Sequence, residues 1–503
     1  MVDLLTLLGR DLFDQVFFAF ITMIIIVAAY YDLRDKNYPP GAVGMPIFGY
    51  LPMLNQKTPY TTLKDLSAHY GKVFSIYLGS VYTVVISDVK LIREALNLDS
   101  FHEKPPLILA NGVANGKGIL MADSDRWKQH RFFLMSTLKT LSSTKGKSAR
   151  VVLEDKIQSS LSDFMQDIKQ TTGNAQDIRP ALKHSIGSLM FDVVTGMRPK
   201  KGDPNWGKLQ NTIPNQLSMM SITSSNNFVP LLKNFSKFTT AIGKLVKGKE
   251  EAGKLYEHCV EKFPNADSKD FQSIVEAYIA EAKRRDGKTD DSFSADQISQ
   301  VLLDTLAMSW ETTMDSIHWL IMYLAMYPEV QENIAREMEY VLGSNPEDIT
   351  LEKCNKLTYT EAVMMEVWRH RPVLPMGLPH CATERTKIGN YWISEGTLVV
   401  PLIYAVHRDQ RYWEKPDEFI PERHLNDDGS IRKSEYFIPF QTGQRACIGE
   451  EFAQWTVLLF LARVMNDFKI SFPTGIKYNP DDLPDFCVTA SPPSYRLILE
   501  ARH

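Results

Sequence analysis

Cys447 stands in Phe440-Gln-Thr-Gly-Gln-Arg-Ala-Cys-Ile-Gly449, with glycines two and four residues away and an arginine two residues before it. That setting suits a thiolate acting as a metal ligand. Glycine lets the backbone approach closely and adopt positive φ, and free amides with a cation stabilise the charged sulfur. A buried structural cysteine is the competing reading. Glu311 and Thr312, in Trp310-Glu-Thr-Thr313, form a second candidate pair. A mid-helix threonine competes for backbone groups, and an unpaired buried acid is costly. Two such costs in one place point to chemistry. Glu366 and Arg369 stand three apart, Trp127 and Arg131 four apart, so each pair shares a helix face.

The element that carries Glu311 and Thr312 is legible. Ser294-Ala-Asp-Gln297 reads as a capping box, in which hydroxyl and glutamine satisfy each other's amides. No Pro or Gly follows until Pro328. About 34 residues at 1.5 Å each predict ~50 Å of helix, crossing the middle of a large domain.

Composition narrows the class. The chain has 503 residues and a net charge of −4, without the basic excess of a nucleic-acid binder. No linker rich in Gly, Ser or Pro divides it, so one large catalytic unit is expected. The five cysteines, Cys259, Cys354, Cys381, Cys447 and Cys487, are odd in number, widely spaced and lack a CxxC. They indicate a reducing compartment rather than a disulfide scaffold.

The stretch Gln15 to Tyr31 is uncharged. About 17 residues span roughly 26 Å as a helix, enough for a thin bilayer. The segment before it is acidic and no Ala-x-Ala site follows, which favours a retained anchor over a removed signal peptide. Arg34 and Lys36 after the span, against Arg10 before it, place the main body in the cytosol. The prolines of Tyr38-Pro-Pro-Gly-Ala-Val-Gly-Met-Pro stop the helix and suggest a stiff hinge. The expected organisation is an anchor over 1–31, a proline-rich hinge over 32–50 and a catalytic domain over 51–503. Residues 228–249 mix apolar and basic side chains without an acid. They read either as an amphipathic surface helix pair or as a second membrane contact.

The Cys447 segment matches F-x-x-G-x-R-x-C-x-G at every fixed position and resembles the haem-thiolate loop of the cytochromes P450. Other motifs follow in that family's order between Pro39 and Arg496: the hinge, W-x-x-x-R, the acid–threonine helix, E-x-x-R and Phe419-Ile-Pro-Glu-Arg423. Gly116–Trp127 and Ala405–Trp413 are worded like the microsomal, family-2-like branch. The resemblance implies a mainly α fold with a minor β part, the cytochrome P450 fold behind a transmembrane anchor helix. It implies haem b with Cys447 as axial ligand, the thiolate pushing electron density onto iron, for which P450s are themselves the standard instance. Glu311 and Thr312 correspond to the pair that delivers protons to dioxygen. Trp127, Arg131, Arg445 and His380 correspond to donors for the haem propionates. Lys104 lies where the branch often has an arginine; it lacks the bidentate fork. Glu366, Arg369 and Arg423 correspond to a buried structural cluster. Met308 and Ser309 depart from the small residue and glycine expected before the acid, and methionine narrows the pocket there.

By the same resemblance the activity is a monooxygenase that inserts one oxygen atom from O2 into a lipophilic substrate, a steroid or sterol, fatty acid or foreign compound. Electrons would come from NADPH through the NADPH–cytochrome P450 reductase, with cytochrome b5 as a second partner, since the chain has no flavin or nicotinamide fingerprint. Basic residues near the cysteine face would dock their acidic surfaces. The location implied is the endoplasmic reticulum membrane, in contact with lipid. The apolar loops Pro105–Asn115 and Val373–Leu378 fit a lipophilic pocket. Two alternatives stay open: a haem-thiolate isomerase or dehydratase, and a non-catalytic haem-dependent lipid or steroid sensor.

Overall fold

The computed structural model describes residues 37–502 except 43, 105–106, 108–112, 123, 142–147, 218–220, 232–235, 267–270, 286–290 and 344–348, together with Gln15, Phe17, Phe18, Ile21 and Thr22. The predicted anchor over 1–31 lies outside the described residues apart from those five positions. Among the described residues no helix is long and apolar enough to cross a membrane.

The helix bearing Glu311 and Thr312 runs Ala295–Met326, 32 residues, or about 48 Å. The Ser294 hydroxyl accepts the Gln297 amide at 3.4 Å. The reciprocal half of the expected capping box is replaced. The Gln297 side chain clamps Gly118 instead, donating to its carbonyl at 2.9 Å and accepting its amide at 3.0 Å. A buried backbone pair left unmet costs about 1–3 kcal/mol, so the tertiary contact outranks the local cap. Pro328 ends the helix and takes the first position of the next, Pro328–Leu342, where its missing N–H is harmless. The central helix is apolar on nearly every side. It packs against Arg179–Thr195, Pro204–Leu217, Ser236–Lys262, Thr358–His370 and Glu450–Asp467, so it threads the main core as its length predicted.

Strands are the minor part. A four-stranded sheet has the order Val73–Leu78, Val81–Ile86, Leu398–Pro401, His380–Cys381. Its registers pair Val73 with Ile86 antiparallel, Thr83 with Leu398 parallel and His380 with Val399 antiparallel. A smaller apolar cluster, including Val84, Ile92, Ile388 and Val399, backs this sheet. The sheet matters for function because the Cys381 amide donates to the Glu103 carbonyl at 2.9 Å. That bond lays residues 101–104 along the sheet edge and sets Lys104 beside His380.

The proline-rich segment is docked on the body. The Ser75 amide donates to the Pro40 carbonyl at 2.7 Å and the Ala42 amide to the Ser75 carbonyl at 3.1 Å. A Cβ on Gly41 would lie 1.9 Å from the Ser75 carbonyl oxygen, so glycine is required by close approach of two backbones.

Candidate active site

The cysteine loop is pinned from several directions. Gln441 and Gly443 both take left-handed conformations, φ 66° and 81°. At Gly443 a Cβ would meet the Leu96 carbonyl oxygen at 2.2 Å, so only glycine fits. The Cys447 amide donates to the Phe440 carbonyl at 3.1 Å, and the Phe440 ring stands edge-on to Trp368 at 5.3 Å. Two residues on, Gly449 caps the helix Glu450–Asp467, whose N-terminus is the positive end of its dipole. The Cys447 side chain is exposed to the cavity it lines rather than packed against protein. Its depth in the fold pushes the thiol up to about 11; Glu450 adds to this, while the Gly449 amide and Arg131 oppose it. A coordinated cation displaces such a proton.

The cavity encloses about 270 Å³. The central helix contributes Thr305, Met308, Ser309 and Thr312 to its wall. The Thr312 hydroxyl donates to the Met308 carbonyl at 2.6 Å and that of Ser309 to Thr305 at 2.7 Å. Apolar lining comes from Leu120, Val373, Leu374 and Leu378. Of the two loops read as apolar lining, 373–378 reaches the cavity, and most of 105–115 lies outside the described residues. Met308 faces the cavity, as expected of a side chain that narrows it.

Lys104, Arg131 and Arg445 line the same space with Trp127. The helix Ser124–Thr140 presents Trp127 and Arg131 together. The Arg445 guanidinium lies 4.3 Å and that of Arg131 5.8 Å from the Trp127 ring centre. Arg131 donates to the Ala446 carbonyl at 2.7 Å, tying this helix to the cysteine loop. Arg445 donates to Ala122 at 2.9 Å and Lys104 to Pro379 at 2.9 Å. Burial, with Arg445 close by, drives the Lys104 ammonium well below its ordinary range; burial lowers Arg131 too. Among the described residues that line the cavity, Asp304 is the one carboxylate. It is engaged by the amides of Ile119 at 2.8 Å and Leu120 at 3.0 Å and by Gln300 at 2.8 Å. Half-buried to buried cations, with no free acid among the described lining residues, suit a ligand that carries its own carboxylates. Beside Cys447, a Cβ on Gly449 would meet no atom within 4 Å. Thiol, cations and open space together fit a haem.

His380 is not among the lining residues. Its Nδ1 meets the Phe101 carbonyl at 2.7 Å and its Nε2 the Gln441 amide group at 3.0 Å. Gln441 lines the cavity, so His380 stands one hydrogen bond behind the wall. Glu311 also lies off the wall, half-buried. Burial pushes its carboxyl up to about 7; Asp315 adds, while Lys183 and Arg179 oppose.

Behind the cysteine loop, Glu366 and Arg369 are fully buried. They form a forked pair at 2.7 and 2.8 Å. Arg423 joins at 3.0 Å, as the motif implied. His424 joins on the other oxygen at 3.0 Å. It was missed in the sequence, although it directly follows Arg423. Asp304, Asp315 and Gln441 were also missed. Apart from Gln300, four residues before Asp304, their partners lie far away in the chain, and Asp315 stands one helical turn after Glu311.

A family model described as Cytochrome P450 matches residues 39–498, and the chain belongs to that family. Its members are haem proteins with a cysteine thiolate on iron, and they are monooxygenase oxidoreductases. Among similar proteins, cytochrome P450 18a1 of Drosophila melanogaster is 27% identical over 95% of this chain and 89% of its own length. Cytochrome P450 306a1 of the same species is 28% identical over 92% and 90%. Human cytochrome P450 2J2 is 27% identical over 92% and 91%.

Proposed function

We propose that this chain hydroxylates a lipophilic substrate, with Cys447 as the residue that would bind the iron of haem b and with Trp127, Arg131, Arg445 and Lys104 as those that would hold its propionates. The observation that carries the reading is one cavity lined by Cys447, Thr312, the cations Lys104, Arg131 and Arg445, and a mainly apolar wall. Haem, when bound, supplies the redox centre at which dioxygen is reduced. The chain's own residues do the rest. The arginines and Lys104 neutralise carboxylates that would otherwise be costly to bury. His380 steadies Gln441 from behind. Leu120, Val373, Leu374 and Leu378 exclude water and receive an apolar substrate. Thr312 has committed its own proton to the Met308 carbonyl, which leaves its oxygen lone pairs to accept from a water. Glu311, held near neutrality by burial, gives up a proton readily at working pH. Electrons come from NADPH through the NADPH–cytochrome P450 reductase, with cytochrome b5 as second donor.

Reconstitution with reductase and NADPH tests this. Wild-type protein is expected to form hydroxylated product from a lipophilic substrate. Thr312→Ala should lose about 10²-fold in productive turnover while still oxidising NADPH and releasing hydrogen peroxide. A parallel fall in NADPH oxidation and product would remove Thr312 from proton delivery. A protein that is reduced and binds CO but forms no product would instead support the sensor reading.

The domain order proposed is the anchor over 1–31, the proline-rich segment and the catalytic body, held at the endoplasmic reticulum membrane with the body in the cytosol. A second lipid contact is supported by exposed apolar side chains: Ile47 at 60%, Phe48 at 41% and Leu231 at 66% exposure. The Gly79 amide donates to Phe48 at 3.1 Å and the Ser80 amide to Phe228 at 3.0 Å, which gathers these segments on one side. Protein lacking 1–31 is expected to sediment with phospholipid vesicles, and Ile47→Ser with Leu231→Ser to release it. A truncated protein that stays in the supernatant would rule the second contact out.

A further inference from the structure

Met308 puts a sulfur where the chemistry above has no use for one. It stands one turn before Thr312, and the Thr312 hydroxyl donates to its carbonyl at 2.6 Å. The two residues therefore share a helix face, and both line the cavity with Cys447. Met308 is half-buried and packs in part against the main core. Its unbranched stem has three rotatable bonds, so the thioether can take several positions in the open space before that turn. The rest of the wall is harder to oxidise. Leu120, Val373, Leu374 and Leu378 offer C–H bonds, and Thr305, Ser309 and Thr312 offer hydroxyls. A thioether takes an oxygen atom onto a lone pair and breaks no bond at sulfur. Among the described lining residues, sulfur occurs also at Cys447, the proposed iron ligand, and at Met190. Met190 stands on another helix, Arg179–Thr195, and is 2% exposed.

We propose that Met308 is an oxygen-accepting modification site: in turnover without substrate, one oxygen atom of dioxygen is delivered to its sulfur, giving methionine sulfoxide. The proposal rests on the monooxygenase reading. The thioether, one dioxygen, two electrons from NADPH through the reductase and two protons give the sulfoxide and one water. The O–O bond breaks and one S–O bond forms; sulfur gives up two electrons and dioxygen takes four. When a substrate is bound, it takes the oxygen instead. The sulfoxide is polar and brings a new acceptor into a mainly apolar space. The hydroxyls of Thr305, Ser309 and Thr312 already donate to the carbonyls of Val301, Thr305 and Met308 at 2.7, 2.7 and 2.6 Å. The new oxygen must therefore draw a hydroxyl off its carbonyl or a water into the cavity, and either disfavours a lipophilic occupant. Turnover without substrate thereby turns the pocket against its own substrates. The asymmetric wall presents one of the two sulfur lone pairs, so one sulfoxide epimer is expected in excess, and each epimer has its own reductase.

The test uses the holoenzyme with reductase, NADPH, catalase and isotopically labelled dioxygen, without substrate, and reads the oxygen gained by each methionine by mass spectrometry. Met308 is expected to gain one labelled oxygen, about tenfold more often than Met135 and Met197. Those two are half-buried like Met308 but are not among the cavity's lining residues, so they report peroxide that escapes. After digestion, one of the two epimer-specific reductases should restore the Met308 fragment and the other should leave it largely untouched. Carbon monoxide, which takes the place of dioxygen, should abolish the label. Met308→Leu keeps the bulk of the side chain and should leave its fragment unlabelled, with no rise at Met135 or Met197. Equal label at Met135, Met197 and Met308, equal amounts of both epimers, label at Met190 in place of Met308, or label that persists under carbon monoxide would each overturn the proposal. If NADPH is oxidised in a carbon-monoxide-sensitive way and Met308 gains nothing, this site alone falls. If NADPH is not oxidised with or without lipophilic compounds present, the monooxygenase reading falls and takes the site with it.

Discussion

Cys447→Ala will abolish the thiolate-type absorption of the reduced, CO-treated protein and bring product formation down to the background of free haem. The loop leaves no substitute for the sulfur. The neighbouring side chains are Ala446 and Ile448, which cannot bind iron. The other cysteines stand elsewhere: Cys259, Cys354 and Cys381 are buried, and Cys487 is not among the cavity's lining residues. The loss should be confined to the ligand. The backbone of the loop is set by the Phe440 carbonyl, the Arg131–Ala446 bond and the close approach of Gly443 to Leu96, none of which uses the thiol. Alanine should therefore leave the thermal unfolding of the haem-free protein unchanged within about 0.5 kcal/mol. Persistence of the thiolate-type spectrum in the variant would remove Cys447 as the ligand. A large loss of stability without haem would mean that the sulfur is a packing group.

How much of this was legible in the sequence depends on the reach of each interaction. Trp127 with Arg131 and Glu366 with Arg369 are set by helical spacing, so the chemistry is compressed into five and four residues. The cysteine loop is legible for the same reason, since its glycines serve turns within the loop or contacts made by its own backbone. The central helix was legible from the absence of Pro and Gly. The reciprocal capping box was expected and not formed, because Gln297 found Gly118, 179 residues away. Asp304 grips amides about 185 residues distant and Asp315 a hydroxyl 176 residues distant. No local pattern encodes such pairings; only the packed topology brings them together. His380 falls between the two cases. Its motif named it, but the sheet edge turned both ring nitrogens onto Phe101 and Gln441.

Removing Glu366 is expected to damage the fold more than any other polar change away from the cavity. Its carboxylate accepts five hydrogen bonds: two from Arg369, and one each from the Ile420 amide at 2.9 Å, Arg423 and His424. Burial alone would raise this acid; the hydrogen bonds from Arg369 and His424 outweigh it and hold the carboxyl down to about 2. The folded value lies below the ordinary 4.5, so the contribution is complete above about pH 4.5. It fades as the pH falls toward 2 and amounts to roughly 3 kcal/mol. Arg369 also donates to the carbonyls of His407, Pro416 and Glu418, so it cannot swing out to water when its partner goes. Glu366→Ala should then cost about 3–5 kcal/mol, the usual result of leaving one charge of a buried pair behind. The cluster ties the helix Thr358–His370 to residues 416–424, and Phe440 of the cysteine loop packs on Trp368 of that helix. The damage should therefore reach the haem side as a thiolate-type CO spectrum decaying within minutes. Denaturant midpoints with and without Arg369→Met separate the causes. If the cost is the stranded charge, the double change recovers much of the loss and flattens the acid limb of the stability curve. If Glu366→Ala costs under about 1 kcal/mol, the range of exposed pairs, the cluster does not support the fold in the way its burial implies.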